Sequence, residues 1–232
     1  LQYSFTCKDV DYKKKCLKKK YKQDVKMMNK ELFREHCKLQ LQSAKRDKIA
    51  RDARVLESLE KLLLPLRKKT ILFYLPLATE VRVNKLFQKL RRHNNLLVPF
   101  MEGVSFKVVK FRLPLYKKKF SILEPANSWA RISNIDIAVV PVVGVDGKLR
   151  RIGHGKGMYD RFFSSLKCPP YVICVQRATC FSKHYLGQAH DMQADIYITP
   201  NDIIKRRGNH GIRTYDRRRR SLNKRCDRVP CR

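Results

Sequence analysis

The apolar positions of this chain fall into blocks of two different periods. Between residues 29 and 63, Leu32, Phe33, Leu39, Ile49, Val55, Leu56, Leu59 and Leu63 recur at loose spacings of three and four. That is the period of one helix face, and Pro65 stops it. The next block changes character. Residues 70–75 (TILFYL) are apolar without alternation, as expected of a strand buried on both faces of a parallel sheet. Residues 135–140, 171–175 and 195–199 read the same way. Residues 96–100 form a further short strand, and 105–113 alternate apolar with basic residues, a strand with one wet face. Helices are predicted from Glu80 to about His93, with Thr79 as the cap, and from Lys156 or Met158 to Leu166. Asp146-Gly147 marks a turn. Strands alternating with helices predict an α/β domain over about residues 28–205. The expected architecture is a three-layer α/β/α sandwich around a mostly parallel, mixed central sheet of Rossmann-like type.

The two ends differ from this middle. Residues 1–27 are lysine-rich, with KKK at 13–15 and again at 18–20, and read as a loosely packed basic extension. Residues 206–232 contain Arg217 to Arg220 in a row and few apolar positions, so a disordered basic tail is expected. Lys and Arg number 53 against 20 Asp and Glu, a net charge of +33. Such a balance points toward polyanions. No paired-aromatic RNA motif, helix-turn-helix or zinc-finger spacing accompanies it. Non-specific nucleic-acid contact through the basic ends is therefore expected, and a dedicated nucleic-acid-binding protein is an alternative reading. The longest apolar run, 137–145, is broken by Pro141 and Gly144, so no transmembrane helix fits. The basic N-terminus lacks an apolar core for a signal peptide, and a cytoplasmic location is expected. The eight cysteines include no CxxC pair and read as free thiols.

The chemistry concentrates in residues 140–163, which run strand, turn, glycine-rich basic loop, helix. Gly153, Gly155 and Gly157 alternate with His154 and Lys156. Glycines let backbone N–H groups turn toward an anion, and Arg151 and Lys156 add full charges, so the loop reads as a phosphate cradle. It is not a Walker A loop, because no Ser or Thr follows Lys156. It is not a dinucleotide fingerprint either, because its third glycine comes too early. Lys30 and Arg34, four apart, share one helical face.

The run RIGHGKGMYDR, residues 151–161, resembles the signature of 5-formyltetrahydrofolate cyclo-ligases, also called 5,10-methenyltetrahydrofolate synthetases. The likeness extends in order from about Met28 to Thr199. It takes in Lys30 and Arg34, Glu80-Val81 after the first strand, Glu124-Pro125, Asp146, Gln176, Asp191 and Asp195. The resemblance implies ATP- and Mg²⁺-dependent cyclisation of 5-formyltetrahydrofolate to 5,10-methenyltetrahydrofolate, with release of ADP and phosphate, by a monomer in one-carbon metabolism with no membrane partner. It implies an ATP site made of Lys30, Arg34, Arg151, Gly153, His154, Gly155, Lys156, Gly157, Met158, Tyr159 and Asp160. Lys156, Arg151 and Tyr159 would be catalytic, Glu80 and Tyr159 would bind folate, and Asp160 and Asp195 would hold Mg²⁺. Met158 stands where the family has a tyrosine, Val142 where it has a glycine, Val145 where it has a phenylalanine, and Pro200 where it has an acidic residue. These departures bear on the folate pocket, so a catalytically impaired relative that only binds nucleotide or folate is a second alternative.

Overall fold

The computed structural model describes residues 29–103, 105–117, 123–126 and 134–206. Both basic ends, Met28 and four of the cysteines lie outside these residues. Asn29 opens the first helix, α1 (Lys30–Ser43), by accepting the N–H groups of Glu31 and Leu32 on its side chain at 3.1 and 2.8 Å. Phe33, Cys37 and Leu41, one turn apart, are its buried face. The single helix expected over 29–63 is in fact two: the apolar face of α1 runs out at Leu41 and Ala44, and the next positions on it, Lys45 and Lys48, carry charge. The chain turns at 44–47 and restarts as α2 (Lys48–Leu63), which buries Val55, Leu56, Leu59 and Leu63 and stops just before Pro65.

Eleven strands follow among the described residues. The main sheet has the order β11-β10-β9-β6-β1-β2-β3. These are β1 (Thr70–Leu72), β2 (Asn95–Glu102), β3 (Ser105–Lys110), β6 (Ile137–Pro141), β9 (Tyr171–Val175), β10 (Ile196–Ile198) and β11 (Ile203–Lys205). The five inner strands are parallel, and the two edges, β3 and β11, run antiparallel to their neighbours. The predicted buried strands are therefore the parallel ones. Between β3 and β6 lies a small hairpin, β4 (Leu115–Lys117) with β5 (Leu123–Pro125), and after β6 a second, β7 (Gly144–Val145) with β8 (Arg151–Ile152).

Side chains leave a strand alternately to its two faces, so β1 feeds both halves of the core. Ile71 and Phe73 pack with α2 and with a helical segment made of a 3-10 turn (Val83–Leu86) and α3 (Phe87–Leu90). Leu72 packs on the other side with Val145, Leu149 and Phe162 of α4 (Met158–Ser164). This is the expected three-layer arrangement. One predicted element is displaced: the helix begins at Val83, and Glu80 sits before it in a turn closed by its own carboxylate, which accepts Leu77 N–H at 2.9 Å. The carbonyls of Ala78, Glu80 and Val81 are bonded to the side chains of Arg177 and Tyr74, so they are not free to start a helix there.

The order of the sheet fixes where a ligand can sit. From β1 the chain moves outward to β2 and β3, then returns to β6 on the opposite side of β1 and continues outward to β9, β10 and β11. Beyond the carboxyl ends of β1 and β6 the direction of winding reverses, which leaves a crevice. The segment carrying Glu80 and the glycine-rich loop both emerge at that point.

Candidate active site

Asp146 is fully buried and organises the descent from β6 to the loop. Its carboxylate accepts the N–H groups of Lys148 (2.9 Å), Arg150 (2.8 Å), Leu186 (3.1 Å) and Gly187 (2.8 Å), closing the predicted turn and tying it to a distant loop. β8 is then held by Arg151 N–H to Met192 O at 2.8 Å. Gly155 and Gly157 adopt φ of +107° and +61°, conformations that side chains disfavour, and so reverse the chain into α4. Arg161 braces the bend by donating to Lys156 O at 2.8 Å.

Between this loop and α1 lies a cleft of about 410 Å³. Four cations line it: Lys30 and Arg34 from α1, Arg151 from β8 and Arg161 from α4. Two carboxylates, Asp160 and Asp191, face them. Arg34 donates to Gly153 O at 2.9 Å and Lys30 to Asp191 at 2.6 Å, so both predicted α1 residues reach across to the loops. A concave surface with positive charge in excess concentrates anions.

Arg151 joins this cleft to a second group of residues. It is buried, donates to Pro141 O at 3.2 Å and stands 3.8 Å from Asp160. Its guanidinium lies 4.8 Å above the Tyr159 ring, a cation–π contact. A side chain at Gly153 would collide with that guanidinium. The Tyr159 ring meets Phe106 edge-on at 5.1 Å, and burial, then the nearby Glu80 charge, pushes its phenol up, so it stays an O–H donor. Burial also pushes Glu80 up to about 7, against the pull of its Leu77 hydrogen bond and of the Arg151 and Arg177 charges.

Other predicted residues fall elsewhere. His154 and Lys156 are exposed on the loop, and neither side chain belongs to the cleft wall. Shielding by the surrounding loop, then the charges of Arg151, Lys38, Arg34 and Lys156, lowers the His154 pKa and favours the neutral ring. Met158 packs into the core beside Phe162. Asp195 does not join Asp160 in the cleft: its oxygens accept Val172 N–H at 2.8 Å and Arg206 at 2.5 Å. The second carboxylate of the wall is Asp191, four residues earlier. Gln176 is a core residue, accepting from Tyr197 at 2.6 Å. Arg161, Ser164 and His190 line the cleft without having been singled out. Asp160, Arg161 and Ser164 lie along one face of α4, with Gly157 at its cap.

Residues 26–199 match the 5-formyltetrahydrofolate cyclo-ligase family. The chain belongs to that family. Among curated cyclo-ligases, it is 26% identical over 102 residues to a probable 5-formyltetrahydrofolate cyclo-ligase of Schizosaccharomyces pombe, covering 38% of this chain and 50% of that one. It is 29% identical over 89 residues to a 5-formyltetrahydrofolate cyclo-ligase of Mycolicibacterium smegmatis, covering 37% and 46%. The matched stretches thus span about half the length of these two cyclo-ligases. The fold is that of the NMR structure of the Aquifex aeolicus 5,10-methenyltetrahydrofolate synthetase, with a TM-score of 0.64 at 24% identity, over 79% of this chain and 96% of the other. The expected family and fold class are both borne out. Among the described residues no helix is long and apolar enough to cross a membrane.

Proposed function

We propose that this chain transfers the γ-phosphoryl group of ATP to the formyl oxygen of 5-formyltetrahydrofolate and closes the ring to 5,10-methenyltetrahydrofolate. The formyl oxygen attacks the γ-phosphorus and ADP departs. N10 then attacks the activated carbon, its proton leaves, and phosphate is expelled as the methenyl bridge forms. Phosphoryl transfer asks mainly for positioning and charge neutralisation, and the cleft supplies both. Lys30, Arg34 and Arg161 of the cleft wall would hold the triphosphate, and the exposed Lys156 would reach its outer end. Glu80 and Tyr159 are suited to hydrogen-bond the pterin. The observation that carries the reading is Arg151, one buried guanidinium that lines the anion cleft beside Asp160 and stacks on the Tyr159 ring.

Mg²⁺ asks for one or two carboxylates plus phosphate oxygens and water. Asp160 fits that requirement, with Asp191 as the second carboxylate of the wall. The ion would supply neutralisation of the triphosphate charge. The test is direct: purified protein, 5-formyltetrahydrofolate and Mg²⁺-ATP should yield the methenyl chromophore with one phosphate per turnover. Folded protein that forms no product, or that hydrolyses ATP equally without folate, would refute the proposal.

A further inference from the structure

Asp52 on α2 and Arg177 just past β9 are charged, yet only 3% and 1% exposed. Arg177 meets Asp52 as a fork, Nε to one oxygen at 2.7 Å and a terminal nitrogen to the other at 3.0 Å. Its remaining donors go to main-chain carbonyls, Ala78 O at 3.2 Å and Glu80 O. Asp52 also accepts Arg82 N–H at 3.4 Å. From the other side the Tyr74 hydroxyl donates to Val81 O at 2.7 Å. Four main-chain anchor points of one short loop, at 78, 80, 81 and 82, are therefore set by buried side chains.

A buried ion pair is a poor source of stability, because desolvating both charges offsets their attraction, and apolar pairs of similar size often do as well. What an apolar pair cannot do is hold carbonyls. A guanidinium presents five donors in a rigid plane, so one carboxylate can orient it while its other edge fixes a loop. The loop fixed here carries Glu80 at its centre. We propose that Arg177, oriented by Asp52, is a positioning residue that holds the 77–82 loop so that Glu80 faces the folate. This deepens the proposed function and rests on it for the identity of the ligand.

The test uses the full chain with two variants. Arg177→Lys keeps the charge opposite Asp52 and loses the fork and the carbonyl contacts. The double variant Arg177→Met with Asp52→Leu removes both charges, so no buried ion is left unpaired. Three quantities are read: melting temperature, affinity for 5-formyltetrahydrofolate and for Mg²⁺-ATP, and amide hydrogen exchange at 77–83. Positioning predicts folded variants with unchanged ATP affinity, folate binding weaker by tenfold or more, and exchange at 77–83 faster by a similar factor. If the double variant does not fold, Arg177→Lys carries the same readouts. Wild-type folate affinity and exchange in a folded variant would overturn the proposal and leave the pair as a tie between α2 and the sheet. Wild-type protein that binds no folate would refute the proposed function instead. The exchange arm still decides the clamp in that case, since unchanged rates at 77–83 overturn it.

Discussion

Glu80 makes the functional proposal quantitative. Its carboxyl is pushed up to about 7 by burial, from an ordinary 4.5. If only the carboxylate accepts the pterin N–H groups, about a tenth of the protein is competent at pH 6, about half at pH 7 and about nine-tenths at pH 8. Apparent affinity scales with the competent fraction, so the dissociation constant for 5-formyltetrahydrofolate should fall roughly tenfold from pH 6 to pH 8. The substrate's own carboxylates are ionised throughout that window. Calorimetric titration at pH 6, 7 and 8 and constant ionic strength reads this directly. Glu80→Gln should bind more weakly at pH 8 and show no slope. A flat wild-type profile, or the same slope in Glu80→Gln, would refute the assignment. The stability sign runs the other way. The raised folded pKa means that native protein keeps a proton which the unfolded chain releases between about 4.5 and 7. The Glu80 contribution is therefore fully present below pH 4.5 and is lost as pH rises through 7, by at most about 3 kcal/mol. Glu80→Gln should consequently gain stability over wild type at pH 8 and little at pH 4.

Lys156→Ala should slow turnover by about 2–4 kcal/mol of transition-state stabilisation, the scale of one well-placed donor, while leaving folate binding intact; steady-state rates at saturating Mg²⁺-ATP check this. Asp160→Asn should raise the Mg²⁺ concentration needed for half-maximal rate, whereas Asp195→Asn, whose carboxylate is bonded to Val172 N–H and Arg206, should lower the melting temperature without moving that concentration. Gly144→Ala would bring a methyl to 2.7 Å from the Phe33 ring and 3.1 Å from Cys180 O, so thermal unfolding should show a loss of about 1–3 kcal/mol.

The parallel core was legible because burial on both faces leaves a continuous apolar run: 70–75 and 171–175 contain β1 and β9, and 135–140 covers all of β6 but its last residue. The short β7–β8 hairpin and β11 were not, since two- and three-residue strands have no period and Arg151 does not look like a strand residue. The glycines at 153, 155 and 157 announced themselves through spacing. Arg177 and Asp52 could not, because in a chain with 53 Lys and Arg a buried arginine is written with the same letter as a solvated one. The Glu80 turn was missed for a related reason: its local sequence permits a helix, and only the side chains of Tyr74 and Arg177 claim its carbonyls, while Asp52 takes the Arg82 N–H. The choice between Asp191 and Asp195 likewise depends on which main-chain N–H and which cation each one meets.

The bond between Lys30 and Asp191 spans 161 residues of chain. During synthesis α1 emerges first and must wait for nearly the whole domain before its cleft partner exists. Closing so large a loop is entropically costly and slow. The cleft therefore depends on contacts between the first described helix and loops that come almost a whole domain later in the chain. A nascent chain that stops before residue 191 lacks one wall of the cleft and the strands β10 and β11. Ligands that bind the finished cleft therefore draw the equilibrium toward the folded chain and away from forms in which the two walls are apart.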